Sequence, residues 1–207
     1  MAILNTSSFI DLLPINQFSL TLKENLRSST DGKGQTLISS IGPRLWQGSI
    51  SIAPTSHQKS REIIRLLQLI QEAGQSFDVY DVTKPNPDNL GSHNLNGITL
   101  SNVTPATRSR MNGVSQGFKL NLGEYVSLSV AGANRLFRTT TDTTGNAQNI
   151  AWITTSQPIP TSANGSIVTL IKAPVTCMLV PNSMKIGAMG LASWEGASFD
   201  FIQSFIP

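Results

Sequence analysis

Charge is scarce in this chain: only 13% of its 207 residues are Asp, Glu, Lys or Arg, about half the share usual in globular domains. Hydrophobic residues make up 39%, which excludes intrinsic disorder, a state that needs high charge and little hydrophobicity. A single cysteine, Cys177, excludes an internal disulfide framework. The two histidines, His57 and His93, sit in polar contexts without a neighbouring Cys or carboxylate, so no metal-ligand spacing is present. Long apolar runs are absent as well. The longest, around Val175–Pro181, is strand-sized and far short of the roughly 18 to 20 residues that span a bilayer, so no membrane is expected as a partner. Met1–Thr6 lacks the basic region and apolar stretch of a signal peptide. Folding in a cytoplasm is therefore expected, and the sequons at Asn5, Asn102 and Asn164 carry no weight.

Catalytic motifs are missing too. Asp31-Gly32-Lys33-Gly34-Gln35-Thr36 falls short of a phosphate-binding loop, which needs G-x4-G-K-[ST] between a strand and a helix. No G-x-S-x-G elbow occurs. Asp78 and Asp81 lie an odd number of residues apart in a strand-like segment, hence on opposite faces, and are poor candidates for a shared acid–base pair. Cys177 lies within an apolar strand, the setting of an inert buried thiol. The expectation is a protein that is not an enzyme and holds no metal or cofactor.

What is present is a succession of short elements. Phe18–Leu22 alternates at period two, and so does Arg44–Ile52, with Trp46, Ile50 and Ile52 on one face and Gly48 leaving a gap beside them. Between these strands, Ser28–Gly34 reads as a flexible polar loop. From about Gln58 to Ala73 the period lengthens: Ile63, Leu66, Leu67 and Ile70 recur at helical spacing. Ser56 stands at the N-cap and Gly74 past the C-terminus. A strand over Phe77–Val82 follows, then a linker at residues 83–97. Beyond it strands recur at short intervals: Phe118–Leu122, Tyr125–Val130, Leu136–Thr139, Gln148–Thr154 and Ser166–Ile171. That texture suits a small β-barrel or sandwich. Val175–Val180 and Ser198–Phe205 close the chain. These last strands need a sheet, and pairing with the N-terminal strands makes residues 1–84 and 173–207 one discontinuous domain, with residues 98–172 inserted.

Charge is uneven across this division. Residues 98–172 hold six basic residues against two acidic ones, a net +4 within a chain total of +3. A basic insert built as an OB-like barrel is a candidate glycan- or nucleic-acid-binding module. Its candidate face carries Tyr125, which lies outside with the serines of its strand, together with Arg135 and Arg138 one hairpin away. Trp152 and Phe137 are expected to pack inside the barrel or at a domain contact.

The order of elements resembles the distal tail proteins of long-tailed bacteriophages. The likeness runs through Leu45–Ile52, the following helix, Phe77–Asp81, Leu122–Leu128, Leu136–Thr139 with Asp142–Asn146, Val168–Leu170, Pro174 with Met178–Val180, and Ser198–Ile202. The resemblance implies a mainly β fold with one helix: a ring-forming β-sandwich or split-barrel domain carrying an inserted OB-like small barrel. It implies a virion protein of the tail tip, assembled in the host cytoplasm as a hexameric ring. Its neighbours would be the tail tube protein, the tail hub or tip protein, and tail fibres or a receptor-binding protein, with DNA met at most as a lumen lining. No cofactor is implied. Trp46, Ile50, Ile52, Phe199 and Phe201 are the candidate subunit-interface residues, on the expectation that the edges of Arg44–Ile52 and Ser198–Phe205 pair between subunits.

Overall fold

The computed structural model describes residues 3–104 and 108–206 and is mainly β with one α-helix. The chain enters through two 3-10 turns, Thr6–Ser8 and Ile10–Leu12, the first capped by Asn5, whose side chain accepts the Ser8 N–H. Strand β1 (Ile15–Lys23) sets Phe18, Leu20 and Leu22 against the core and the residues between them outward. The segment expected to be a flexible loop is instead a hairpin of β2 (Leu26–Thr30) and β3 (Thr36–Ser40), paired from Leu26↔Ser40 to Thr30↔Thr36. The Asp31 carboxylate accepts the N–H groups of Lys33 and Gln35 and so fixes the turn. Gly34 supplies the positive φ of +80°. All ten strand residues are exposed, so no buried face imposes the alternation by which a strand is recognised.

Strand β4 (Leu45–Ile52) buries Trp46, Ile50 and Ile52. The gap beside them at Gly48 is filled by close neighbours: a Cβ there would lie 1.9 Å from the Ser19 carbonyl oxygen and 2.7 Å from Cζ of Phe201. Helix α1 (His57–Ile70) starts after Ser56 and buries Ser60, Ile63, Leu67 and Ile70. It stops three residues earlier than its pattern suggests. Gln71 closes it with N–H bonds to the carbonyls of Gln68 and Leu69, and Gly74, at φ +81°, lies in the turn beyond. Strand β5 (Phe77–Val79) is fully buried and ends short of Val82.

Residues 83–97 contain no strand or helix. The following unit holds β6 (Thr99–Thr104), β7 (Arg108–Asn112), β8 (Lys119–Leu120), β9 (Tyr125–Val130), β10 (Ala133–Arg138), β11 (Thr143–Thr144), β12 (Ile150–Ile153) and β13 (Val168–Thr169). They form the sheets β12-β7-β6, β10-β9-β13 and β11-β8 around a core that includes Ile98, Met111, Phe118, Leu128, Phe137 and Ile153. Strands β6 and β7 carried no expectation. Strand β7 places Arg108, Arg110 and Asn112 on its outward face, which leaves only Ser109 and Met111 to alternate inward.

The chain then returns through β14 (Val175–Leu179), β15 (Lys185–Ile186) and β16 (Ala197–Gln203). One antiparallel sheet runs β1-β4-β16-β14-β5, with β15 on β16, so strands from the C-terminal part lie between strands from the N-terminal part. The helix stripe, the N-terminal turns and the inner residues of this sheet make one core, centred on Phe9, Phe77, Phe199 and Trp194. Phe9 and Phe77 stand 5.0 Å apart, and Phe77 meets Phe199 edge-on at 6.1 Å. Among the described residues no helix is long and apolar enough to cross a membrane.

Candidate functional site: an exposed arm and a buried seam

The five candidate interface residues, Trp46, Ile50, Ile52, Phe199 and Phe201, are all buried within the chain's own core. Strand β4 is bonded to β1 on one side and β16 on the other, and β16 lies between β4 and β14. Neither strand offers a free edge to a second copy. The expectation of edge pairing through them is corrected: their apolar faces and their hydrogen bonds are used up inside the subunit. The sheet ends at β1 and β5; Leu4 bridges β5 at Phe77, whereas β1 pairs only with β4 among the described strands.

The β2–β3 hairpin and the residue just after it expose several large apolar side chains. Leu26, Leu37, Ile38 and Ile41 are 48%, 58%, 66% and 63% exposed. Across the hairpin register Leu26 and Ile38 share one face with Ser28 and Ser40, while Leu37 lies on the other, so apolar groups project from both sides of the arm. At its root lies a cleft of about 510 Å³ lined by Pro43, Phe137, Pro158, Pro160 and Phe205, with Arg135 and Ser156. The Arg135 Nε and the Ser156 Oγ are buried there without a hydrogen-bond partner among the described residues. Buried polar groups are nearly always paired, by protein or by ordered water, so these two are polar points in the wall of a largely apolar cleft.

Of the candidate ligand face, Arg138 is exposed while Tyr125 and Arg135 are half-buried. Tyr125 packs edge-on against Trp46 with ring centroids 5.7 Å apart, and the Arg138 guanidinium lies 5.6 Å from its ring. Burial first, and then the Asp81 charge, raises the Tyr125 pKa above the ordinary phenol value. Arg135 stacks 4.5 Å from the Phe205 ring. The three belong to the seam where β9 and β10 meet the main sheet. In that seam the Trp46 indole N–H donates to the Leu136 carbonyl at 2.7 Å, and the Ser127 hydroxyl donates to the Pro174 carbonyl at 2.5 Å. Deeper in, the Asn134 N–H donates to Thr176 Oγ1, and that hydroxyl donates to Asp78 at 2.7 Å. The Asn134 side chain also donates to Asp78, at 2.9 Å. Burial outweighs these two bonds and holds the Asp78 pKa above the usual carboxylate value. Asp81 lies beyond the end of β5 and caps a turn, accepting from the Thr83 N–H and hydroxyl.

Cys177 is fully buried, and desolvation first, then the Asp78 charge, pushes its thiol well above the ordinary value. A thiol held protonated is a poor nucleophile. His57 contacts the Leu191 carbonyl and His93 meets Phe118 edge-on. Among the described residues no group of three or more His, Cys, Asp or Glu converges as a metal site would require.

Phe137 packs in the insert core, but Trp152, expected to pack, is 38% exposed with Arg108 over its ring. Two surfaces thus escaped sequence reasoning, the arm and the Trp152 face. Their signals were Leu37-Ile38 and Ile41 within a Ser/Thr-rich stretch, and Arg108 and Arg110 at alternating positions. No protein-family model matches the chain, and no curated protein matches it.

Proposed function

We propose that this protein is an architectural subunit of a closed ring at the distal end of a phage tail, joining the tail tube to the hub or receptor-binding tip. On this reading the main sheet with its helix is the ring-forming split-barrel or sandwich domain, and the unit at 98–172 is an OB-like insert. It acts by assembly, without catalysis or cofactor. The observation that carries the reading is the exposed apolar arm. A hairpin whose ten strand residues are all exposed, with Leu26, Leu37, Ile38 and Ile41 uncovered, gains its stabilisation only when another surface covers it. The arm, with the cleft at its root, and the β1 edge are unlike surfaces of the subunit. Contact between unlike surfaces of identical subunits is head-to-tail, and such contacts generate rings when the rotation closes. Low overall charge supports the same reading, because the centres of permanent interfaces are depleted in charged residues.

The test is native mass of the full-length protein beside that of Leu37→Ser/Ile38→Ser/Ile41→Ser. Wild type should run as a closed ring of about six subunits. The triple variant should be a monomer that still unfolds cooperatively, since the three side chains are exposed within the subunit, and its midpoint should be lower only by the stabilisation that assembly adds. Wild type that stays monomeric at high concentration, or a ring that survives the triple substitution, overturns the proposal. A second reading, a binding module on the basic insert, draws on Trp152 rather than on Tyr125, Arg135 and Arg138.

A further inference from the structure

The outer face of the β12-β7-β6 sheet carries an aromatic ring framed by unneutralised arginines. Alternation on β7 turns Arg108 and Arg110 away from the insert core. Trp152, on β12, stands directly opposite Arg110 in the ladder, and the Arg108 guanidinium lies 4.8 Å from the Trp152 ring centroid. Of the three tryptophans, Trp46 and Trp194 are 2% and 0% exposed, so Trp152 is the one that meets solvent. A groove of about 480 Å³ passes the ring, lined by Arg108, Thr141, Asp142, Thr143, Trp152 and Thr154. Further along the same face the Arg110 Nε and the Asn112 Oδ1 are buried without a hydrogen-bond partner among the described residues. One is a donor and one an acceptor, and neither residue lines the groove itself, so they add polar character beside it. Neither arginine makes an ion pair with a described residue.

From this placement we infer that the Trp152 face binds an oligosaccharide bearing acidic groups. The exposed indole offers a platform for the apolar face of a sugar ring. The hydroxyls of Thr141 and Thr154, 2.6 Å apart, keep acceptor capacity toward the groove. The Asp142 carboxylate accepts the Leu122 N–H through one oxygen and stands 3.6 Å from Lys119 through the other, and it still has lone pairs for sugar hydroxyls. Arg108 and Arg110 supply the planar forks that match a carboxylate or a phosphate on the sugar. A single-stranded nucleic acid fits less well, because it stacks successive bases on successive aromatics. Here Trp152 is the one aromatic among the residues that line the groove, so successive bases would find no second ring to stack on. None of the arm residues takes part, so this site and the ring assembly stand or fall separately.

The experiment titrates the full-length protein with tetragalacturonate and a hyaluronan hexasaccharide, with neutral cellohexaose and the oligonucleotide dT10 as alternatives, read by tryptophan emission and calorimetry. The acidic sugars should bind with millimolar or better affinity, perturb the emission, and weaken as salt rises. Trp152→Ala should reduce affinity about tenfold or more, and Arg108→Gln should erase the preference for acidic over neutral sugars. Trp152→Phe, which keeps a smaller platform, should fall between. Unchanged unfolding midpoints confirm that the variants fold. The inference is overturned if neither acidic sugar binds at concentrations of about 10 mM. It is overturned equally if cellohexaose binds as well as they do, if Trp152→Ala leaves binding intact, or if dT10 binds more tightly and displaces them. The last outcome would transfer the face to nucleic acid.

Discussion

Replacing Gly48 with Ala sets two opposing effects against each other, and the structure says which prevails. Gly→Ala at a permitted conformation narrows the unfolded ensemble and stabilises by about 0.4–1 kcal/mol. Gly48 does not use a positive φ, so its backbone would accept the change. The added Cβ, however, meets the Ser19 carbonyl oxygen at 1.9 Å, the Ser19 carbonyl carbon at 2.9 Å and the Phe201 ring at 2.7 Å. Ser19 is neighbouring backbone in β1, and Phe201 is a fully buried ring stacked 6.2 Å from Phe18. Neither can yield without disturbing the β1–β4–β16 ladder. Overpacking of this kind costs about 1–3 kcal/mol even where only side chains shift. A net loss of about 3 kcal/mol is expected, equivalent to a fall in Tm of about 6–12 °C for a chain of this size. Gly32→Ala is the matched control. Nothing lies within 4 Å of its Cβ position, so it should stay within about 0.5 kcal/mol of wild type. Urea and thermal unfolding of both variants read the result. A Gly48→Ala protein melting within about 2 °C of wild type would refute the reasoning that close approach at Gly48 closes the sheet.

Trp46→Phe removes the indole donor and strands the buried Leu136 carbonyl, a loss of about 1–3 kcal/mol before any packing defect, to be read as a lower urea midpoint; an unchanged midpoint would mean that this bond does not hold the seam. Asp78 has a folded pKa raised above 3.8, so its contribution is fully present below that value and is lost as pH rises through the folded pKa. Wild type should therefore lose stability relative to Asp78→Asn over that window, and parallel stability–pH curves for the two would contradict it. Glu124 is buried and accepts the N–H groups of Asp88 and Asn121 at 2.8 and 2.9 Å. Glu124→Ala should release the segment at residues 83–97 to limited proteolysis with little change elsewhere, whereas unaltered cleavage would show that the segment is held by other contacts.

The parts of the fold legible in the sequence are those whose residues feel one environment per face. Phe18–Leu22 and Leu45–Ile52 are half-buried, and the helix buries one stripe, so in each the hydrophobic pattern reports the period directly. The hairpin and β7 were not legible for the opposite reason. With both hairpin faces exposed and one β7 face carrying arginines, polarity follows the surface rather than the strand. Among the candidate residues, Trp46, Phe199 and Phe201 are apolar on a strand, and such a pattern marks burial without saying whether a subunit's own core or a partner provides it. Sheet order decided that, and strand order is set by long-range pairing such as Phe199↔Ile50 and Cys177↔Phe77. Tyr125 was correctly set on the opposite side of its strand from Val126. That side faces Trp46 across the seam, and no local pattern records so distant a neighbour.

The chemistry of the seam carries a mechanical consequence. Apolar contact alone tolerates sliding, because dispersion and hydrophobic burial have little direction. The contact between β9–β10 and the main sheet instead runs through oriented bonds whose partners are buried: Trp46 to Leu136, Ser127 to Pro174, and Asn134 through Thr176 to Asp78. Each has a buried partner that would be left unsatisfied by a shift of an ångström or so, at a cost of about 1–3 kcal/mol apiece. The Lys172 N–H donates to the Pro85 carbonyl, and the Lys172 ammonium pairs with Asp11 at 2.7 Å, tying the insert's exit to its entry and to the N-terminal turn. Two chain crossings fastened in this way hold the insert at one angle to the sheet. In a ring built from the sheet, every Trp152 face would then be presented at the same radius and tilt, a geometry suited to multivalent contact, where several weak sites engaged together bind far more tightly than one.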